Sequence, residues 1–217
     1  MKNILFIFLV LASLSVGAQR NILFQEDFEG YVNDWELVND EEFVVKQDSG
    51  KLYISKANQN SVKNGCLWYK KTISKFDTSK DLSIKFDANA ISSESENGGF
   101  DIQWGKIYEA DGVRIKSLHQ LDFGVNKVRL SKFEMNNGGW TYYNWSDTLY
   151  DPSLDKFKAE RNTSHKYEII QKGKVLTVVI DGKLVYKIPI EPKTGSEIGF
   201  QRCLKGELLL DNLVIMQ

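Results

Sequence analysis

YEIIQKGKVLTVVIDGKLVYKIPI, residues 167–190, holds three short apolar runs separated by Lys172-Gly173 and Asp181-Gly182. An Asp-Gly pair between two such runs signals a two-residue hairpin. The turn that matches strand twist needs positive φ at both central residues, and glycine adopts it freely. The stretch therefore reads as three consecutive antiparallel strands. The middle one, Val175 to Ile180, is apolar on both faces apart from Thr177, which places it centrally in a sheet.

Working outward, the same period of two recurs. Leu82, Ile84 and Phe86 alternate with Ser83, Lys85 and Asp87; Phe100, Ile102 and Trp104 alternate with Asp101 and Gln103. Turn signals punctuate the runs at Ser49-Gly50, Asn64-Gly65, Asn97-Gly98-Gly99, Asp111-Gly112 and Asn137-Gly138-Gly139. Only residues 151–160 offer helical spacing, with Leu154 and Phe157 three apart, and Pro152 makes an irregular loop an equal reading. Many short strands without helices mean an all-β sandwich or barrel.

Before these strands, Lys2, the apolar stretch Ile4 to Leu14 and the small-residue site Val16-Gly17-Ala18 predict a signal peptide over residues 1–18. The apolar run is shorter than the roughly 20 residues of a membrane span. Residues 19–217 then suit a single domain, exported to the periplasm or beyond and not inserted in the membrane after cleavage. With 28 Lys and Arg against 29 Asp and Glu, the chain has no field to attract a polyanion, which argues against nucleic-acid partners.

Two distant segments narrow the architecture. Near the start stands LFQEDFEG (residues 23–30), followed by Trp35; near the end stand Ile198-Gly199-Phe200 and LLLDNLVI (residues 208–215). This bracketing of a strand-rich middle resembles the concanavalin A-like jelly-roll domains. The resemblance implies a two-sheet antiparallel β-sandwich with first and last strands side by side. It also implies a family of lectins, laminin G-like modules, glycan-binding modules and glycoside hydrolases. A weaker likeness, from Tyr167 to Gln201, is to the closing half of the 3-keto-disaccharide hydrolase domains of the same fold. Many jelly rolls of this type hold a structural calcium where the first and last strands meet, and the resemblance nominates Asp27 and Asp211 as its acids. Turn capping by the same two carboxylates is the competing reading.

Catalytic grammar is sparse. His119 and His165 are the two histidines, and both read as packed or surface residues. A glycosidase carboxylate pair needs same-face spacing, but Glu94 and Glu96 lie in a polar turn and Glu41 and Glu42 are adjacent. No residue is assigned a catalytic role. Asp101 and Gln103 share one strand face, as do Gln120 and Asp122; if the two strands are neighbours, the four form one polar surface suited to sugar hydroxyls. Trp140 and Tyr142, in the aromatic segment ending at Trp145, add flat apolar faces for sugar rings. Trp35, Trp68 and Trp104 read as core. Cys66 and Cys203 pair only if their strands are adjacent; otherwise they are two buried thiols.

The reading that follows is an exported, non-catalytic jelly-roll module. It binds glycan or another extracellular surface through Asp101, Gln103, Gln120, Asp122, Trp140 and Tyr142. A carbohydrate-active hydrolase and a protein-interaction module are the alternatives.

Overall fold

The computed structural model describes residues 21–30, 32–57, 66–91, 99–110, 113–124, 127–136, 139–142, 162–203 and 206–217. At 109–110, 113–116, 127, 129, 131–136, 139–142 and 203 the description covers the backbone alone. The expected signal peptide, the turn with Glu94 and Glu96, the aromatic residues 143–145 and the ambiguous 151–160 segment lie outside the described residues.

All regular structure among the described residues is strand. In chain order the strands are β1 (Ile22–Glu26), β2 (Val38–Asn39), β3 (Phe43–Asp48), β4 (Lys51–Lys56), β5 (Cys66–Thr72), β6 (Leu82–Ile91), β7 (Phe100–Ala110) and β8 (Val113–Gly124). There follow β9 (Lys127–Asn136), β10 (Gly139–Tyr142), β11 (His165–Lys172), β12 (Val175–Ile180), β13 (Lys183–Pro189), β14 (Glu197–Cys203) and β15 (Glu207–Met216). They form two antiparallel sheets. One runs β13-β12-β11-β6-β15-β4-β3-β2, with β1 also on β15; the other runs β10-β9-β8-β7-β14-β5. Glu26 of β1 pairs with Leu213 of β15, so the terminal strands do lie side by side.

The 167–190 stretch folds as three successive strands. Asp181 (φ 50°) and Gly182 (φ 76°) both take positive φ and close the β12/β13 hairpin, with Ile180 opposite Lys183. β12 is flanked on both sides, yet only Leu176, Val178 and Ile180 are buried; Val175, Thr177 and Val179 face outward, half-buried or exposed. β-branched residues suit a pleated surface on either face, so their apolarity does not by itself report burial.

Between the sheets lies one core. Phe86 of β6 stacks on Tyr167 of β11 at 5.1 Å and meets Phe100 and Phe200 of the other sheet edge-on at 6.1 and 5.4 Å. Such offset and edge-on pairs satisfy the ring quadrupoles while burying large apolar areas. Trp104 and Trp35 are core, as their alternation implies. The Trp104 indole donates to Gln171 Oε1 across the sandwich at 3.4 Å, and Gln171 Nε2 donates to the Thr78 and Lys80 carbonyls at 2.9 and 2.7 Å. A fully buried amide is tolerable there because its polar atoms are paired.

The opening motif has a local cause as well. Glu26 is buried, and its carboxylate accepts the Phe28 amide (2.9 Å), the Asn33 side chain (2.7 Å) and the Trp35 indole (3.0 Å). Trp35 then stacks on Tyr69 of β5 at 5.5 Å, and the Tyr69 hydroxyl donates to the Glu36 carbonyl. One buried acid thus ties the segment after β1 to an edge strand of the opposite sheet. That same edge strand is held covalently. Cys66 is disulfide-bonded, and Cys203, the one other cysteine of the chain, is its direct register partner on β14.

Candidate functional site

Side chains of paired strands that face each other in register stand on the same side of a sheet. In the six-stranded sheet, Tyr69, Phe100, Ile102, Trp104, Leu121, Phe123, Ile198 and Phe200 face the core and are buried. The residues of the other parity fall into rows across the strands by register; at 129, 131, 133 and 142 the rows are those of the backbone alone. One row is Trp68, Gln201, Asp101, Asp122 and Arg129; the next is Lys70, Gly199, Gln103, Gln120 and Ser131. A third is Thr72, Glu197, Gly105, Leu118 and Phe133, which continues to Tyr142.

Asp101, Gln103, Gln120 and Asp122 are therefore a two-by-two block on adjacent strands, the arrangement that the sequence left conditional. Trp140 and Tyr142 occupy positions of the same parity on β10, but farther off. Trp140 stands opposite Met135, three rows or ~20 Å along the strands from the Asp101/Asp122 row. Tyr142 is one row from Gln120 and two strands across, ~12 Å away. Their side chains lie outside the described residues.

Among the described side chains, an aromatic ring beside the polar block is Trp68. Expected in the core, it faces outward and is half-buried. A Cβ added to Gly199 would lie 2.2 Å from Trp68 Nε1, so the indole rests directly over that glycine. The signal was present in CLWYKKT, residues 66–72. Tyr69 belongs to the core, so Trp68 shares its face with Lys70 and Thr72 and must point the other way.

Next to Trp68 the sheet surface dips. Gly199 and Gly105 (φ 144°) supply a floor without side chains, and Trp68, Leu118, Gln103 and Glu197 surround it as a shallow depression with no room for a water molecule. Glu197 holds Lys70 at 3.0 Å and accepts the Ile107 amide at 3.1 Å. Gln103 is 4% exposed. Its Nε2 donates to Gln120 Oε1 and, at 2.9 Å, to Gln201 Oε1. Gln103 Oε1 is buried and accepts no hydrogen bond among the described residues. A buried acceptor left unpaired is costly.

The other nominated groups lie elsewhere. Both histidines are packed. His119 lies against Trp104, and His165 Nδ1 sits 2.7 Å from Asp181 Oδ2 at the far hairpin. Burial opposes the Asp181 charge, but the Lys166 amide, the His165 ring and the Lys183 charge outweigh it and hold the carboxyl below its ordinary value. Asp27 and Asp211 flank one end of the β1/β15 seam. Asp27 accepts the Glu29 amide at 3.1 Å; Asp211 accepts the Asn212 amide at 2.7 Å and lies 3.5 Å from the Lys51 ammonium. Among the described residues no three His, Cys, Asp or Glu side chains gather as a metal-binding group.

No protein-family model and no curated protein matches the chain. Solved structures do match along most of it. A Bacillus subtilis protein of unknown function with a galectin-like fold gives a TM-score of 0.59 at 11% identity, over 90% of this chain and 96% of its own. The κ-carrageenase of Pseudoalteromonas carrageenovora, solved with a κ-carrageenan oligotetrasaccharide, gives 0.57 at 10%, over 94% and 98%. The Emp47p carbohydrate recognition domain gives 0.55 at 13%, over 94% and 99%. At such identities the likeness is one of fold, and the chain carries the concanavalin A-like jelly roll.

Proposed function

We propose that this chain is an exported, non-catalytic module that binds carbohydrate on the outer face of its six-stranded sheet. One observation carries the reading: the unbroken row Trp68, Gln201, Asp101 and Asp122, backed by Gln103 and Gln120, sets an aromatic ring beside a field of hydroxyl-binding groups. Apolar ring faces and a few convergent polar groups are what sugar recognition asks of a surface. Carbohydrate-binding and carbohydrate-cleaving proteins among its fold neighbours support the ligand class. The Cys66 disulfide, expected only in an oxidising compartment, supports export alongside the signal-like residues 1–18.

A hydrolase is the second reading, favoured by one feature. Asp101 and Asp122 are direct register partners, whose Cβ atoms are ~4.5–5.5 Å apart, near the carboxyl spacing of retaining glycosidases. A glycan array run beside a reducing-sugar assay separates the readings. Binding without release of reducing ends is expected, and Asp101→Asn should weaken it about tenfold through a lost charge-assisted hydrogen bond. Turnover abolished by Asp101→Asn, with binding kept, would establish the hydrolase.

A further inference from the structure

The nine-stranded sheet ends in two strands of opposite character. At one end lies β13, which contains no acidic residue and exposes Lys183, Leu184 and Lys187. Neither lysine has an ion pair among the described residues. The charge of Lys183 is felt by Asp181, which the Lys166 amide and His165 already engage. At the other end lies β2, with Glu36 and Leu37 before it and Asp40 and Glu41 after it, all four exposed. Asp40 accepts the Phe43 and Glu42 amides at 2.7 Å, which holds its carboxyl below the ordinary value and keeps it charged at neutral pH. Lys46 of the neighbouring β3 is paired with Asp48 at 2.8 Å, and Lys56 of β4 is buried.

A chain that is close to neutral as a whole thus carries its two signs on opposite edges of one sheet. Two β13 edges brought together would set Lys183 and Lys187 against themselves, and two β2 ends would set carboxylate against carboxylate. Like charges so opposed are destabilising, and lysine on an edge strand bars pairing with its own kind. The self-contact that the charges favour is between unlike edges, with Leu184 (52% exposed) and Leu37 (46% exposed) as apolar surface to cover. Pro189 and the two-residue length of β2 limit a continued backbone ladder, so side chains carry the contact. A contact between two different patches leaves one edge of each kind free and repeats unless its rotation closes a ring. Neither edge belongs to the sheet that carries Trp68 and the polar block.

We propose that this protein associates with itself head to tail, the Lys183/Lys187 edge of one copy docking on the Glu36/Asp40/Glu41 edge of the next. Sedimentation of the full mature chain tests it between ~0.01 M and ~1 M salt, where the screening length falls from about 30 Å to about 3 Å. Mass above the monomer is expected at low salt and the monomer at high salt. A monomer under all conditions, or an oligomer that high salt does not dissociate, overturns the proposal. A wild-type chain that stays monomeric but binds polyglutamate through Lys183 and Lys187 also overturns it, and assigns the basic edge to an acidic partner.

Charge reversal supplies the second arm. Lys183→Glu/Lys187→Glu makes both edges acidic, and Glu36→Lys/Glu41→Lys makes both basic. Thermal melts are measured first, to show that each variant folds. Each alone should be monomeric at low salt, and an equimolar mixture should associate again, because unlike edges then meet between the two variants. Association of either variant alone, or a mixture that stays monomeric, overturns the head-to-tail pairing.

Discussion

Gly199 and Gly195 show how two glycines of one neighbourhood carry different constraints. A Cβ on Gly199 would press on the Trp68 indole at 2.2 Å, the mobile end of a side chain. A Cβ on Gly195 would meet the Gly105 carbonyl oxygen at 1.9 Å, which is backbone and cannot swing away. Gly199→Ala should therefore keep the fold, change tryptophan fluorescence and weaken glycan binding. Gly195→Ala should lower the melting temperature clearly, an overpacking cost of about 1–3 kcal/mol. At the same scale, Trp68→Ala should cost about 1–3 kcal/mol of binding, as for truncation of an aromatic anchor. Titration calorimetry and thermal melts on the three variants check this; a Gly199→Ala protein that binds like wild type would detach Trp68 from the site.

Elements matter where they meet. β5 is an edge strand held to β14 by its ladder and by the Cys66 disulfide, and it carries Trp68. Closing a loop of more than a hundred residues adds about 4–5 kcal/mol in the chain-entropy picture. Cys66→Ser should lower stability by part of that amount, and glycan affinity should fall more than for a core variant of equal stability, because the released strand bears the ring. Denaturant unfolding paired with binding measurements tests this. The β12/β13 hairpin gives a pH prediction. Asp181 titrates below its unfolded value, so its contribution is present above the ordinary aspartate range, ~3.9, and is lost as pH falls through the folded value. Asp181→Asn should flatten the acid limb of stability against pH; an unaltered limb would assign it to other carboxylates.

At the scale of the whole molecule, Glu26 joins the two sheets through Trp35 and Tyr69. Glu26→Ala leaves three buried or half-buried donors unpaired and should cost about 2–4 kcal/mol, more than one neutral hydrogen bond, because the acceptor is charged. Since Asp27 and Asp211 are engaged by turn amides and Lys51, equal melting midpoints with and without chelator are expected. A calcium-dependent rise, about 2.7 kcal/mol at a hundredfold excess over Kd, would make both acids ligands. Intact mass of secreted protein should place its first residue at Gln19.

Period-two alternation and Asp-Gly turns were enough to determine an all-β sandwich or barrel, because local propensity and side-chain parity are written residue by residue; the two-sheet arrangement with neighbouring first and last strands came only from the resemblance that the terminal segments carry. Parity also determined which side of β7 and β8 each of Asp101, Gln103, Gln120 and Asp122 would face. Which strands become neighbours is a matter of long-range pairing, and no local pattern encodes it. Only the tertiary structure therefore put Gln201 beside Asp101, brought β5 to the edge with Trp68 over Gly199, set Cys66 opposite Cys203, and separated Trp140 from the Asp101/Asp122 row by three rows of the sheet.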